Sequence, residues 1–369
     1  MNHRDRVDNF NGGPAALPVE ALEKAQAELL NFAETGASIV EISHRSKAYE
    51  AVHQQTKALL KELLEVPDDY EILFLQGGAS LQFAMVAMNL LDNEHTGAYA
   101  LTGSWSKKAR EEAARVGRVR TVFDGAESEF RTIPGVEQVV PAPGDAYLHL
   151  TSNNTIYGTQ WHAFPDTGEV PLVADMSSDI LSHRIPVRQF SLIYAGAQKN
   201  LGPAGVTVVI IKSSLVARAK AIAEEKNIPV ILRYDLHAKH DSLYNTPPVF
   251  AIYLMGLVLE WLRDHGGVAQ AEARGRQKGK LIYDAIDNSD GFYRGYAAPD
   301  SRSYTNVTFN LPTRELEQAF LAGAEENGMI GLGGHRSVGG CRASIYNAVS
   351  VEACERLAEY MDSFRRVHG

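Results

Sequence analysis

The sequence predicts an α/β protein, with a large domain built on a mostly parallel sheet covered by helices and a smaller α+β domain after it. Three observations carry this expectation. Seven short apolar runs fall between residues 71 and 211 and read as strands buried on both faces. Segments with apolar residues at helical spacing separate the early runs. After about residue 225 the texture changes to long helices with two further strand-like runs.

Glu71–Gln76 reads as the first strand, broken by Gly77-Gly78. A helix follows with Leu81, Met85, Met88 and Leu91 on its apolar face. Gly97–Thr102 is the second strand, and the next helix turns Lys107, Lys108, Arg110, Glu111 and Glu112 to water. Further strands are expected over 118–123, 146–150, 170–174, 191–194 and 206–211. Residues 227–249, with Pro229 and Pro247-Pro248, read as a long connection. Then come helices over 249–265 and 268–286, a strand over 304–310, a helix over 313–328, a strand over 342–346 and a helix over 351–367.

The 369 residues are 45% hydrophobic and 22% charged, ordinary for a folded chain and long enough for two domains. Thirty-six Lys and Arg against 45 Asp and Glu give a net charge of −9. That balance disfavours nucleic acid as a partner, while local Arg and His side chains can still hold a small anion. Cys341 and Cys354 match neither a disulfide framework nor zinc spacing, and no metal cluster is read among the histidines. The opening Met1–Asp5 develops no apolar signal core, and no window approaches the roughly 18 apolar residues of a membrane span. A cytoplasmic protein with no membrane partner is expected.

Dinucleotide and Walker fingerprints are missing, and Gly78-Ala79-Ser80-Leu81-Gln82 lacks the final glycine of a nucleophile elbow. The informative segment is Ser191–Asn200, where an apolar strand runs through Ala195, Gly196 and Ala197 into Lys199. Small neighbours leave room for a bulky group, and partial burial favours the neutral, nucleophilic amine. Locally, a snorkelling lysine in an exposed turn fits as well. Asp175 ends the run 170–174, at the edge where ligands of open α/β sheets gather; a turn or helix cap is its other reading. An acid and a lysine 24 positions apart at two strand ends suit a pyridoxal phosphate enzyme, the lysine forming the Schiff base and the acid keeping the ring nitrogen protonated.

Gln76–Leu81 offers backbone N–H groups and the Ser80 hydroxyl to an anion, or is a plain glycine turn. Trp105 offers an indole to a planar ring, or simply packs. Ser152–Thr155 and Asn245–Pro248 add short polar side chains. His44-Arg45 and His335-Arg336, each flanked by small residues, are anion grips or exposed basic pairs.

With these residues in view, the chain resembles the phosphoserine aminotransferases, class V pyridoxal phosphate enzymes of fold type I. The resemblance runs over nearly the whole length. It rests on Asn9–Ala15, Glu41–Arg45, Gln76–Gly78, Tyr194–Gly205, Tyr244–Pro248, Gly334–Gly340 and Arg342–Asn347. It implies a large cofactor-binding domain with a seven-stranded sheet over residues 16–262, and a small α+β domain from 1–15 and 263–369. Lys199 is then the Schiff-base lysine and proton shuttle, and Asp175 the partner of the pyridine nitrogen. Trp105 stacks on the ring, Thr155 bonds its hydroxyl side, and Gln198, Ala79 and Ser80 serve the cofactor phosphate. Asn245 and Thr246 reach the phosphate of the neighbouring subunit's cofactor, which implies a homodimer with shared active sites. His44, Arg45, His335 and Arg336 hold substrate. One departure is Ser80, where some members carry an Arg, so any substrate-phosphate contact from there is lost.

The implied reaction is reversible, ping-pong amino transfer between O-phospho-L-serine and 2-oxoglutarate, giving 3-phosphooxypyruvate and L-glutamate in serine biosynthesis. Some relatives also take the phosphorylated hydroxythreonine skeleton of pyridoxine synthesis. The alternatives are an alanine–glyoxylate type class V aminotransferase, a cysteine desulfurase, a non-catalytic binding protein on the same fold, and a hydrolase using Ser80.

Overall fold

The seven apolar runs fold into one seven-stranded sheet. The structure, a computed structural model, describes residues 6–369; Met1–Asp5 lies outside them. The strands are β1 (Tyr70–Leu75), β2 (Thr96–Leu101), β3 (Val119–Asp124), β4 (Asp145–Thr151), β5 (Leu172–Asp175), β6 (Leu192–Gly196) and β7 (Thr207–Lys212). Their spatial order is β1-β7-β6-β5-β4-β2-β3. Neighbours from β6 across to β3 run parallel, and β7 runs antiparallel to both β1 and β6.

Both faces of the sheet are covered because successive side chains point to opposite sides. Ile72, Phe74, Leu148, Leu150, Ile193 and Ile210 join one core with residues of α2 (Lys47–Leu63) and α7 (Val249–Asp264). Leu73, Leu75, Tyr147, Val173, Tyr194 and Val209 join another, against α3 (Gly78–Leu90), α4 (Ser104–Val116) and α5 (Ser213–Glu225). α3 does not present the single face read from its sequence. Leu81 and Met88 are half-buried, while Phe83, Val86, Ala87 and Leu90 are buried. The helix lies between α4 and α5 on the sheet, so most of its circumference is covered.

Two helices precede the first strand, where none was read: α1 (Val19–Glu28) and α2. The expected long connection over 227–249 also carries a short helix, α6 (Tyr234–Lys239). Tertiary contacts hold it there. The Tyr234 N–H donates to Asn89 Oδ1 at 3.0 Å, and its hydroxyl donates to Gln82 Oε1 at 2.7 Å.

The remaining chain surrounds a third core. An antiparallel sheet of β8 (Arg294–Gly295), β9 (Asn306–Asn310) and β10 (Cys341–Ser344) packs with α8 (Gly267–Asp287), α9 (Arg314–Glu326) and α10 (Val351–His368). Asp8–Asn9 pairs in parallel with Met329–Ile330, which brings the start of the described chain to this unit. Among the described residues no helix is long and apolar enough to cross a membrane.

Candidate active site

The residues of interest gather at the carboxyl ends of the parallel strands. Asp175 is the last residue of β5. Trp105 lies in the first turn of α4, directly after β2. Thr155 follows the short Asn153–Asn154 strand beyond β4. Lys199 sits in the reverse connection between β6 and β7, whose ends are pinned by the Gly196–Thr207 pairing. Ala197 and Val206 narrow it further, with the Ala197 N–H donating to the Val206 carbonyl at 3.0 Å.

These elements bring Lys199, Thr155, Trp105 and Asp175 to one place. Lys199 Nζ donates to Thr155 Oγ1 at 2.6 Å and stands 5.8 Å from the centre of the Trp105 ring. Removal from water pushes the amine down to about 8, against the upward pull of the Asp175 carboxylate. Burial pushes the Asp175 carboxyl up, opposed by its bonds from Ser177 and by the Lys199 charge. Asp175 Oδ1 accepts from the Ser177 N–H at 2.9 Å and its hydroxyl at 2.6 Å. Oδ2 has no protein donor among the described residues. It is free to hold a proton on a ring nitrogen.

A second carboxylate, Asp179, is tied to Asp175 through Ser152 and was not singled out from sequence. It is 1% exposed, and Ser152 Oγ bridges it to the Asp175 carbonyl oxygen. Burial pushes its carboxyl up to about 7.

The glycine turn after β1 opens α3. Gly77 and Gly78 take φ of +85° and +64°, a region that side chains avoid. Ala79 and Ser80 therefore sit in the first helical turn, where N–H groups have no intrahelical acceptor. Gln198 is half-buried, and its carbonyl accepts from the Ala15 N–H at 2.9 Å. Asn245 and Thr246 are exposed. They border a cavity of about 160 Å³ with Gln76 and Leu81 and are not joined to Lys199 by any hydrogen bond within the described chain.

The two His-Arg pairs stand on different elements. His44 and Arg45 precede α2, whose first turn is capped by Ser46 accepting from the Tyr49 N–H. His44 Nε2 is buried without a partner among the described residues, and Arg45 is exposed. His335 and Arg336 lie in a glycine-bounded loop closed by the Gly334 N–H donating to the Gly340 carbonyl at 2.9 Å. Burial and the charges of Arg342, Arg336 and Lys108 push the His335 imidazole down.

Arg342, which sequence reading left without a role, belongs with this loop. Its guanidinium packs so closely on Gly12 that a Cβ there would collide with it. Its Nε is buried without a partner among the described residues, and its charge acts on both His335 and Lys199. An unpaired, largely desolvated guanidinium is an anion site in waiting. Both cysteines are buried, and burial pushes their thiols up, which leaves neither suited to a desulfurase nucleophile.

A flat phosphorylated pyridine matches this donor set. Trp105 offers a ring face, Asp175 an open oxygen, Lys199 an amine and the α3 terminus its N–H groups. The comparisons with known proteins agree. The family profile described as Aminotransferase class-V matches residues 7–357. The phosphoserine aminotransferase of Geobacillus kaustophilus (strain HTA426) is 58% identical over 361 residues, spanning 98% of this chain and 99% of that protein. The solved phosphoserine aminotransferase from Bacillus circulans subsp. alkalophilus is 52% identical with a TM-score of 0.96, covering 99% of this chain and 100% of that one. The PLP-bound phosphoserine aminotransferase from Trichomonas vaginalis is 35% identical with a TM-score of 0.89, covering 97% and 100%. The chain belongs to the class-V aminotransferases, in the phosphoserine aminotransferase branch of that family.

Proposed function

We propose that this chain catalyses reversible amino transfer between O-phospho-L-serine and 2-oxoglutarate in serine biosynthesis, with pyridoxal phosphate as cofactor. The observation that carries the reading is the convergence of Lys199, Asp175, Thr155 and Trp105 at one sheet edge. The cofactor, when bound, supplies the electron sink for the pair left on the substrate Cα. The chain supplies the rest. Asp175 Oδ2 holds the proton on the ring nitrogen, and the Trp105 indole covers one ring face. Thr155 Oγ1 serves the ring hydroxyl, while Ala79, Ser80 and Gln198 serve the phosphate. Lys199 Nζ, poised near neutrality, takes the Cα proton as a base and returns it as an acid.

Substrate recognition falls to the basic groups. Arg342 takes the α-carboxylate, and His335 and Arg336 take the far phosphate or carboxylate, with His44 and Arg45 completing the grip. The working unit in this reading is a homodimer in which Asn245 and Thr246 reach the neighbouring cofactor's phosphate. Exposed Val230, Ile231 and Tyr244 beside that turn are apolar surface suited to a second copy. The large domain of this reading spans 16–262 and the small one 1–15 with 263–369, of which 1–5 lie outside the described residues. The cytoplasm is the assigned compartment, in keeping with two free, buried thiols.

The test is an absorbance spectrum of the purified protein before and after adding O-phospho-L-serine. Bleaching of the bound-cofactor band by phosphoserine and by glutamate is expected. Bleaching by alanine with none by phosphoserine favours the alanine–glyoxylate type, and a colourless protein a non-catalytic one.

A further inference from the structure

Lys278 of α8 is 2% exposed. A buried ammonium is costly unless each of its protons finds an acceptor. Here all three do, and none of the acceptors is a carboxylate. Lys278 Nζ donates to the carbonyl oxygens of Ile345 at 2.9 Å, Tyr346 at 2.7 Å and Val349 at 2.8 Å. One side chain thus gathers a single turn, residues 345–349, around a point charge.

That turn has a second set of bonds on its other side. The Asn347 N–H donates to Asn200 Oδ1 at 2.9 Å, and Asn347 Nδ2 donates to the Leu181 carbonyl at 3.0 Å. Asn200 is the residue after Lys199, and Leu181 lies just past Asp179. Tyr346 in the same turn donates its hydroxyl to the Gly12 carbonyl at 3.0 Å and accepts from Asn306 Nδ2. Gly12 is the residue on which the Arg342 guanidinium packs. Upstream, the turn continues directly from β10, the strand that carries Arg342. The turn therefore touches the segments of the reacting lysine and of the anion-binding arginine, and Lys278 is what holds it from behind.

We propose that Lys278 is a positioning residue for amino transfer: its ammonium fixes the 345–349 turn and thereby sets where Arg342 holds the substrate carboxylate relative to Lys199. The inference rests on the reading of Arg342 as the carboxylate anchor. Arg is a poor substitute at this site, because a planar fork cannot aim at three carbonyls converging on a tetrahedral nitrogen.

The test compares K278M and N347A with the parent holoenzyme, using O-phospho-L-serine as donor. K278M is expected to keep the parent's bound-cofactor absorbance. Its KM for phosphoserine is expected to rise about tenfold or more, with a smaller change in kcat, as a misplaced binding group gives. N347A is expected to move KM in the same direction, and the double variant to cost less than the two single effects combined. A folded K278M with the parental KM overturns the proposal, however far its melting temperature falls. Should K278M fail to fold, an N347A enzyme with the parental KM overturns it equally. A parent enzyme whose absorbance responds to neither phosphoserine nor glutamate overturns the functional reading, and this inference with it.

Discussion

The Lys199 amine and the Thr155 hydroxyl meet at 2.6 Å although 44 positions separate them in the chain. One comes from the reverse connection after β6 and the other from the segment after β4. The bond aims the amine across the Trp105 face instead of out to water. Replacing Thr155 by Val removes the hydroxyl at nearly constant volume. T155V is expected to lose about 0.5–1.5 kcal/mol of cofactor affinity, as one hydrogen bond is worth. Equilibrium reconstitution of the cofactor-free protein measures this, and an unchanged affinity contradicts the assigned contact.

K199A is expected to fold like the parent and to lose both amino transfer and the near-visible absorbance of lysine-attached cofactor. Far-UV circular dichroism and an absorbance scan decide it. A K199A protein that retains the band places the attachment elsewhere.

Asp175→Asn keeps the shape of the side chain and deletes its charge. Losing a preorganised charge at a reacting centre costs on the order of a hundredfold in kcat. D175N is expected to bind cofactor and to turn over at least that much more slowly. Single-turnover bleaching with phosphoserine is the measurement, and parental rates would falsify the pairing of this acid with the ring nitrogen.

The basic groups give a separable signature. R342K, R45A and R336A are each expected to weaken both half-reactions while leaving the bound-cofactor spectrum intact. For R342K the loss is expected to sit in KM, since a lysine cannot reproduce a two-pronged grip on a carboxylate. A variant that leaves both half-reactions untouched removes its residue from the substrate grip.

The pH dependence of cofactor capture follows from Lys199. Its amine is pushed down to about 8, and only the neutral form attacks a carbonyl. From pH 7 to pH 9 the neutral fraction climbs about tenfold, and the capture rate of the cofactor-free protein is expected to climb with it. A lysine at its ordinary value, about 10.4, would still be gaining rate steeply above pH 9. Stopped-flow mixing across this range separates the two.

Much of this architecture was legible because strands buried on both faces write continuous apolar runs. Val206–Ile211 and Ser191–Tyr194 need no partner to be recognised, and each emerged within two residues of its reading. The antiparallel sense of β7 was not legible, since an apolar run carries no direction. α2 was legible and overlooked: Ser46 caps it, and Tyr49, His53, Thr56 and Leu60 recur at helical spacing on its buried side. α6 was not, because six residues make no periodic pattern and Tyr234 becomes helical through its bonds to Asn89 and Gln82. In the site, Lys199 and Asp175 stood out by chemistry at strand ends. Arg342, Asp179 and Lys278 did not, because what distinguishes them is burial and the absence or choice of partners, which only the folded chain displays.

The antiparallel return of β7 has an evolutionary corollary. Lys199 lies in a link flanked on either side by ladder partners, Gly196 and Thr207, so adding or deleting a residue there would slip a whole strand out of step or swing the amine off its target. Length polymorphism among homologous chains should accordingly avoid residues 197–206 and collect in exposed turns such as 166–169, and a natural variant with an indel in the protected link should have lost transaminase activity.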